Sequence, residues 1–150
     1  MAVISFEQAI PVPTSVLAIS ANVNMTEGPS TANNPAVITV PPTAIQVDQA
    51  TTFSFNWSLS GSLAPFVGGS WQFDVFYEQM GPAEATFPVP SKLVLNVPSG
   101  TFQSGTTSIV VNPNTVPEGV FRIVIRMMMA PTPSPICGFV DLGLVEYYKG

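Results

Sequence analysis

Four charged residues sit where they could act together. Asp74 and Glu78 lie four positions apart in SWQFDVFYEQM, residues 70–80, and Arg122 and Arg126 lie four apart in GVFRIVIRMMM, residues 119–129. Alternate side chains of an extended strand share a face, so each pair projects from one side of its segment. Two carboxylates at this spacing are roughly 13 Å apart at about 3.3 Å per residue, beyond the ~5–10 Å over which paired acids hydrolyse glycosides. What remains is ion pairing. If the two segments are neighbours in one sheet, Asp74 or Glu78 pairs across it with Arg122 or Arg126.

Other chemistry lacks its parts. The chain contains no histidine, which removes the usual base for a serine or cysteine nucleophile and the commonest zinc ligand. Cys137 is the single cysteine, so it closes no internal disulfide and holds no structural zinc by itself. Without a nearby Lys, Arg or His to lower its pKa, it reads as a small apolar residue at the start of the last strand. Glu27, Asp48, Glu84 and Glu118 fall in or near loops, but no dense D-x-D-x-D run gathers the oxygens that calcium needs. Glycine-rich phosphate loops are absent as well. The expectation is a non-enzymatic protein with no metal and no cofactor.

Composition points toward neighbours. Charged residues make up 9% of the chain, against roughly 25% in an ordinary soluble domain, and the mean hydropathy is +0.38. A monomer usually keeps more charge to stay apart from its copies, so part of the apolar surplus is expected to be covered by self-association or a protein partner. The net charge of −5 and the lack of any Lys/Arg run argue against nucleic acid. No stretch is long and apolar enough for a spanning helix. The first residues, with Glu7, Pro11 and Pro13 and no basic segment, make a poor signal peptide. That favours a cytoplasmic protein or one released without a cleaved leader.

The elements that must position these residues are strands. Sixteen prolines and eleven glycines, spread along the chain, cut it into short segments rich in Val, Ile, Phe and Thr. No helical apolar period competes. In TTFSFNWSLS, residues 51–60, Phe53, Phe55, Trp57 and Leu59 share the core face; in 70–80, Trp71, Phe73, Val75 and Tyr77 do so. Segments 92–97 and 106–112 read as further strands. In 119–129, Phe121, Ile123, Ile125 and Met127 point inward, while Val120, Arg122, Val124, Arg126 and Met128 point outward. The last strand is 138–148, where Gly143 marks a bulge or a close backbone approach. Before residue 45, VISFEQAI, SVLAISANVNM and PAVITV are candidate strands.

With about six strands at regular spacing from residue 45 onward and Trp57 and Trp71 on two early ones, the chain resembles the immunoglobulin-like sandwich architecture. The Cys, Trp, Cys spacing of antibody-type domains is absent. The expected fold is therefore all-β: a single immunoglobulin-like antiparallel β-sandwich at 31–150, with an N-terminal strand arm at 1–30 that packs on a sandwich or exchanges with a neighbouring one.

The expected interaction surface lies on the outer face of 119–129. Met128 points out beside Arg126, and Met129 leads into a proline-rich loop; Phe76 and Val124 extend the patch, and Ile136 follows it. Met and Arg are enriched at protein interfaces and Met adapts to varied surfaces. The expected function is a structural or assembly subunit of a homo-oligomer, filament, shell or phage-tail-like particle. The alternative is a carbohydrate- or protein-binding module acting as a monomer or dimer. Sugar stacking is the weaker reading, because alternation turns Trp57, Trp71 and Tyr77 inward.

Overall fold

The computed structural model describes residues 2–8, 13–28, 43–81, 89, 91–97, 99–130 and 136–150. Among them nine strands form one sheet: β1 (Ala2–Gln8), β2 (Ala18–Glu27), β3 (Ala44–Gln46), β4 (Thr51–Ser60), β5 (Gly69–Gln79), β6 (Lys92–Asn96), β7 (Phe102–Val111), β8 (Gly119–Ala130) and β9 (Ile136–Tyr148). The strand order is β6-β5-β8-β9-β1-β2-β4-β7, with β3 added to β9. All pairings are antiparallel except that of β3 with β9. The two end strands, β6 and β7, approach each other without pairing, so the sheet nearly closes into a barrel.

Alternation explains where the core lies. Phe53, Phe55 and Leu59 of β4, Trp71 and Phe73 of β5, and Phe121, Ile123, Ile125 and Met127 of β8 are almost completely buried. Side chains from opposite walls meet in the middle. The Phe73 ring lies 4.7 Å from that of Phe55 and 5.3 Å from that of Trp57, and Tyr77 meets Phe53 edge-on at 6.3 Å. Such ring pairs add to the free energy of area burial alone. Trp57 fits because β7 offers no side chain opposite it: a Cβ at Gly105 would lie 2.3 Å from Trp57 Cζ2. Toward one end of the barrel, Thr51 Oγ1, Tyr147 Oη and Tyr77 Oη form a buried hydroxyl chain with separations of 2.8 and 3.0 Å. Pairing these groups with one another offsets the cost of removing them from water.

The N-terminal segment is woven into this sheet. The first half of β1, Ala2 to Ile4, pairs with β2, and the second half, Ser5 to Gln8, pairs with β9. One short strand thus joins the two walls, and Ile4, Ala21, Val23 and Met25 are core residues. The domain boundary expected near residue 30 and the strand expected at PAVITV lie outside the described residues. Two differences from the expected strands stand out. β7 begins at Phe102 rather than 106, because the Ser/Gly stretch continues in register against β4, and the three-residue β3 had no pattern long enough to read.

Candidate interaction surface

The outer face of β6, β5, β8 and β9 is built row by row from directly paired residues. Register sets Asp74 opposite Arg126 and Arg126 opposite Phe139; the next rows join Phe76 to Val124 and Asp141, then Glu78 to Arg122 and Leu144. β6 adds Leu93 beside Gln72 and Leu95 beside Ser70. Residues directly opposite one another project from the same face, so these side chains form one surface.

Two ion pairs organise it. Arg126 donates from Nε and Nη2 to Asp74 Oδ2 at 2.9 and 2.7 Å. Asp74, only 5% exposed, also accepts hydrogen bonds from Ser91 and from Gln72 Nε2. Burial alone pushes its pKa up, but the hydrogen bonds from Ser91, Arg126 and Gln72, with the Arg126 charge, outweigh burial and hold the carboxyl below its ordinary 3.8. The guanidinium also stacks on Phe76, 5.0 Å from the ring centre.

Arg122 turns away from β5. It bonds Asp141 on β9 through Nε and Nη2 at 2.8 and 2.5 Å, and it lies opposite Glu78 without being within ion-pair reach of it. The cause is a bulge. Between Ile123 and Val124 the β9 partner steps from Gly143 to Asp141, skipping Leu142, and Gly143 takes φ 83° while its N–H donates to Asp141 Oδ1. This brings the Asp141 carboxylate to Arg122, whose hydrogen bond holds the Asp141 pKa below its ordinary value. Sequence alternation placed Gly143 at an irregularity, but the Asp141 pairing depends on the skipped residue.

The methionines differ from expectation. Met129 is 8% exposed and belongs to the core, because β8 continues to Ala130 and alternation then carries residue 129 inward, opposite Trp71. Met128 is on the outer face, yet it is enclosed between Gln72 and Cys137 and only 7% exposed. Ile136 packs half-buried against the core. The exposed apolar groups of the face are instead Phe76, Leu93, Leu95, Val120, Phe139 and Leu144, at 38 to 69% exposure. Of the residues expected at the interface, Phe76, Val124, Arg122 and Arg126 are brought together there.

The opposite wall has different chemistry. Its outer rows are Ser20–Ser58–Ser104, Asn22–Asn56–Thr106 and Asn24–Ser54–Ser108, with no charged side chain among them. Among the described residues, no three His, Cys, Asp or Glu side chains gather as a metal site. No helix among them is long and apolar enough to cross a membrane. Comparison with models of known protein families finds no match, and a search of curated proteins finds none either.

Proposed function

We propose that this chain is a non-enzymatic structural subunit, an immunoglobulin-like β-sandwich that assembles with copies of itself through the outer face of β6, β5, β8 and β9. The observation that carries this reading is the combination of exposed Phe76, Leu93, Leu95, Phe139 and Leu144 with two ion pairs, Asp74–Arg126 and Asp141–Arg122, among them on the same face, while Glu78 and Glu146 lie toward one end of it. Burying the part of the face around Phe76, Phe139 and the Asp74–Arg126 pair gains apolar area without stranding either of those two charges, whose desolvation would otherwise oppose association, and leaves Glu78 at the rim. Aromatic and Arg side chains at the centre of the face match the composition of interface cores. The open edges of β6 and β7 give neighbouring copies a further place to add strands.

The test is sedimentation velocity on the Phe139→Glu/Leu144→Glu variant. Both side chains are about half exposed, so the fold tolerates the change. The reading predicts that the wild-type chain sediments as an assembly and the variant as a monomer; identical sedimentation of the two refutes it.

A second reading rests on the hydroxyl and amide rows of the opposite wall, which end at a depression of about 370 Å³ lined by Ser54, Asn56, Lys92, Thr106 and Ser108. These groups suit a carbohydrate, and a glycan array tests it.

A further inference from the structure

The sheet stops short of closing at one seam. Among the described residues β7 pairs only with β4 and β6 only with β5, and no loop backbone bonds to either of them on the side that faces the seam. A strand with a neighbour on one side presents the other half of its N–H and C=O groups outward, ready for one more strand. The two edges differ. β6 is five residues long and begins at Lys92, whereas β7, FQSGTTSIVV, runs ten residues in unbroken register with β4 and contains no charge, no proline and no bulge. Charge, proline and bulges are the usual means of closing an exposed edge to further pairing, and β7 has none of them.

Across the seam stands an unpaired cation. Of the four in the chain, Arg122 pairs with Asp141, Arg126 with Asp74 and Lys149 with Glu118, while Lys92 has no acidic partner among the described residues. Its register opposite Phe73 turns Lys92 to the inner side of β6, yet it is exposed, because β6 and β7 do not pair and leave the seam open. Two shallow depressions of about 370 and 360 Å³ lie here and share Lys92 and Ser108. Between them the β7 edge supplies Thr106 to Val110. An open edge and a free cation thus border the same space.

We infer that an extended acidic segment of another polypeptide adds as a strand to the β7 edge over residues 106–111, with an Asp or Glu side chain on Lys92. The edge sets the class of partner, since a row of backbone donors and acceptors at strand spacing is matched by another peptide backbone. Lys92 sets its charge. A sugar in the same depression would meet the hydroxyls of Ser54, Thr106 and Ser108 but would not match the spacing of the edge groups. The β7 edge of a second copy is itself uncharged and would leave Lys92 unpaired. The inference needs only a single chain and does not use the outer face of β6, β5, β8 and β9, so it and the assembly reading can fail separately.

The experiment is fluorescence anisotropy of the full chain with three labelled hexapeptides: Thr-Val-Glu-Val-Thr-Val, the same sequence with Gln for Glu, and the Glu peptide N-methylated at every residue, which lacks the N–H groups of a strand. The wild type should bind the Glu peptide saturably, the Gln peptide about fivefold more weakly, and the methylated peptide not at all. Lys92 is exposed, so Lys92→Gln keeps the fold, and it should bind the Glu and Gln peptides alike. Amide hydrogen exchange should show protection on binding at residues 106–111. Absence of saturable binding up to about 1 mM peptide overturns the inference, as does protection confined to other strands or a preference for Glu that survives in Lys92→Gln. Peptide binding or self-association that strengthens in Lys92→Gln makes Lys92 a guard against strand addition and overturns it too. A neutral glycan that protects residues 106–111 where no peptide does assigns the depression to sugar, with the same consequence.

Discussion

Replacing Asp74 by alanine leaves Arg126 without its carboxylate partner on a half-buried part of the β5–β8 surface. The lost contacts are two guanidinium hydrogen bonds and those from Ser91 and Gln72. Breaking a fully buried ion pair costs about 3–5 kcal/mol, because the remaining charge is stranded out of water. Arg126 keeps 30% of its side-chain exposure and can turn partly toward solvent, which lowers the expected loss to about 2–3 kcal/mol. Urea unfolding followed by tryptophan fluorescence measures it, and a double-mutant cycle with Arg126→Met should return a coupling of at least about 1 kcal/mol. Protonation should have the same effect as mutation. The folded pKa of Asp74 lies below its ordinary 3.8, so its stabilising contribution is complete above that value and disappears as pH falls through the lower folded pKa. The alanine variant should therefore show a flatter acid limb of stability against pH. A loss below about 0.5 kcal/mol, the range of exposed pairs, together with an unchanged acid limb, refutes the reasoning.

Arg122→Ala should shift the unfolding midpoint far less than Asp74→Ala, because Arg122 and Asp141 are 50% and 42% exposed; an equal shift in the same urea experiment contradicts this. Gly105→Ala should cost about 1–3 kcal/mol, since its Cβ would fall 2.3 Å from Trp57 Cζ2, and the variant's fluorescence should report a displaced indole. Tyr147→Phe removes hydrogen bonds to Thr51 and Tyr77 and should cost about 1–2 kcal/mol by urea unfolding. Burial raises the pKa of both Tyr77 and Tyr147 above their ordinary 10.0, so stability should hold below that pH and fall as pH rises beyond it, with the phenolate absorbance of these two rings appearing only as the protein unfolds.

The parts of this structure legible in the sequence are those governed by a period of two. The inward sets of β4, β5 and β8 follow from alternation, and so does the neighbourhood of Asp74 and Arg126 once two charged strands are taken as adjacent. Matters decided by the register of a third strand were not legible. Asp141 reaches Arg122 only because Leu142 is skipped, and no local pattern announces which carboxylate a bulge will deliver. Met129 is turned inward because β8 runs one residue beyond the expected end, so the alternation that buries Met127 continues to it instead of giving way to a loop. Met128 shows a further limit: alternation tells which way a side chain points, but not what encloses it there. The splitting of β1 between β2 and β9 is likewise a long-range choice, made by how the walls meet rather than by residues 2–8 themselves. The exposed leucines of β6 were missed as part of the face, because a five-residue strand of mixed pattern does not reveal which side it turns outward.

In the assembly proposed above, the outer face of β6, β5, β8 and β9 is covered by another copy of the chain. The most direct test is the mass of the wild-type protein in solution, measured by light scattering across a wide range of concentration. A mass that climbs with concentration to a multiple of 15.9 kDa is the predicted result. A mass fixed at that of one chain throughout contradicts the account, leaving Phe76, Leu93, Leu95, Phe139 and Leu144 in contact with water alone.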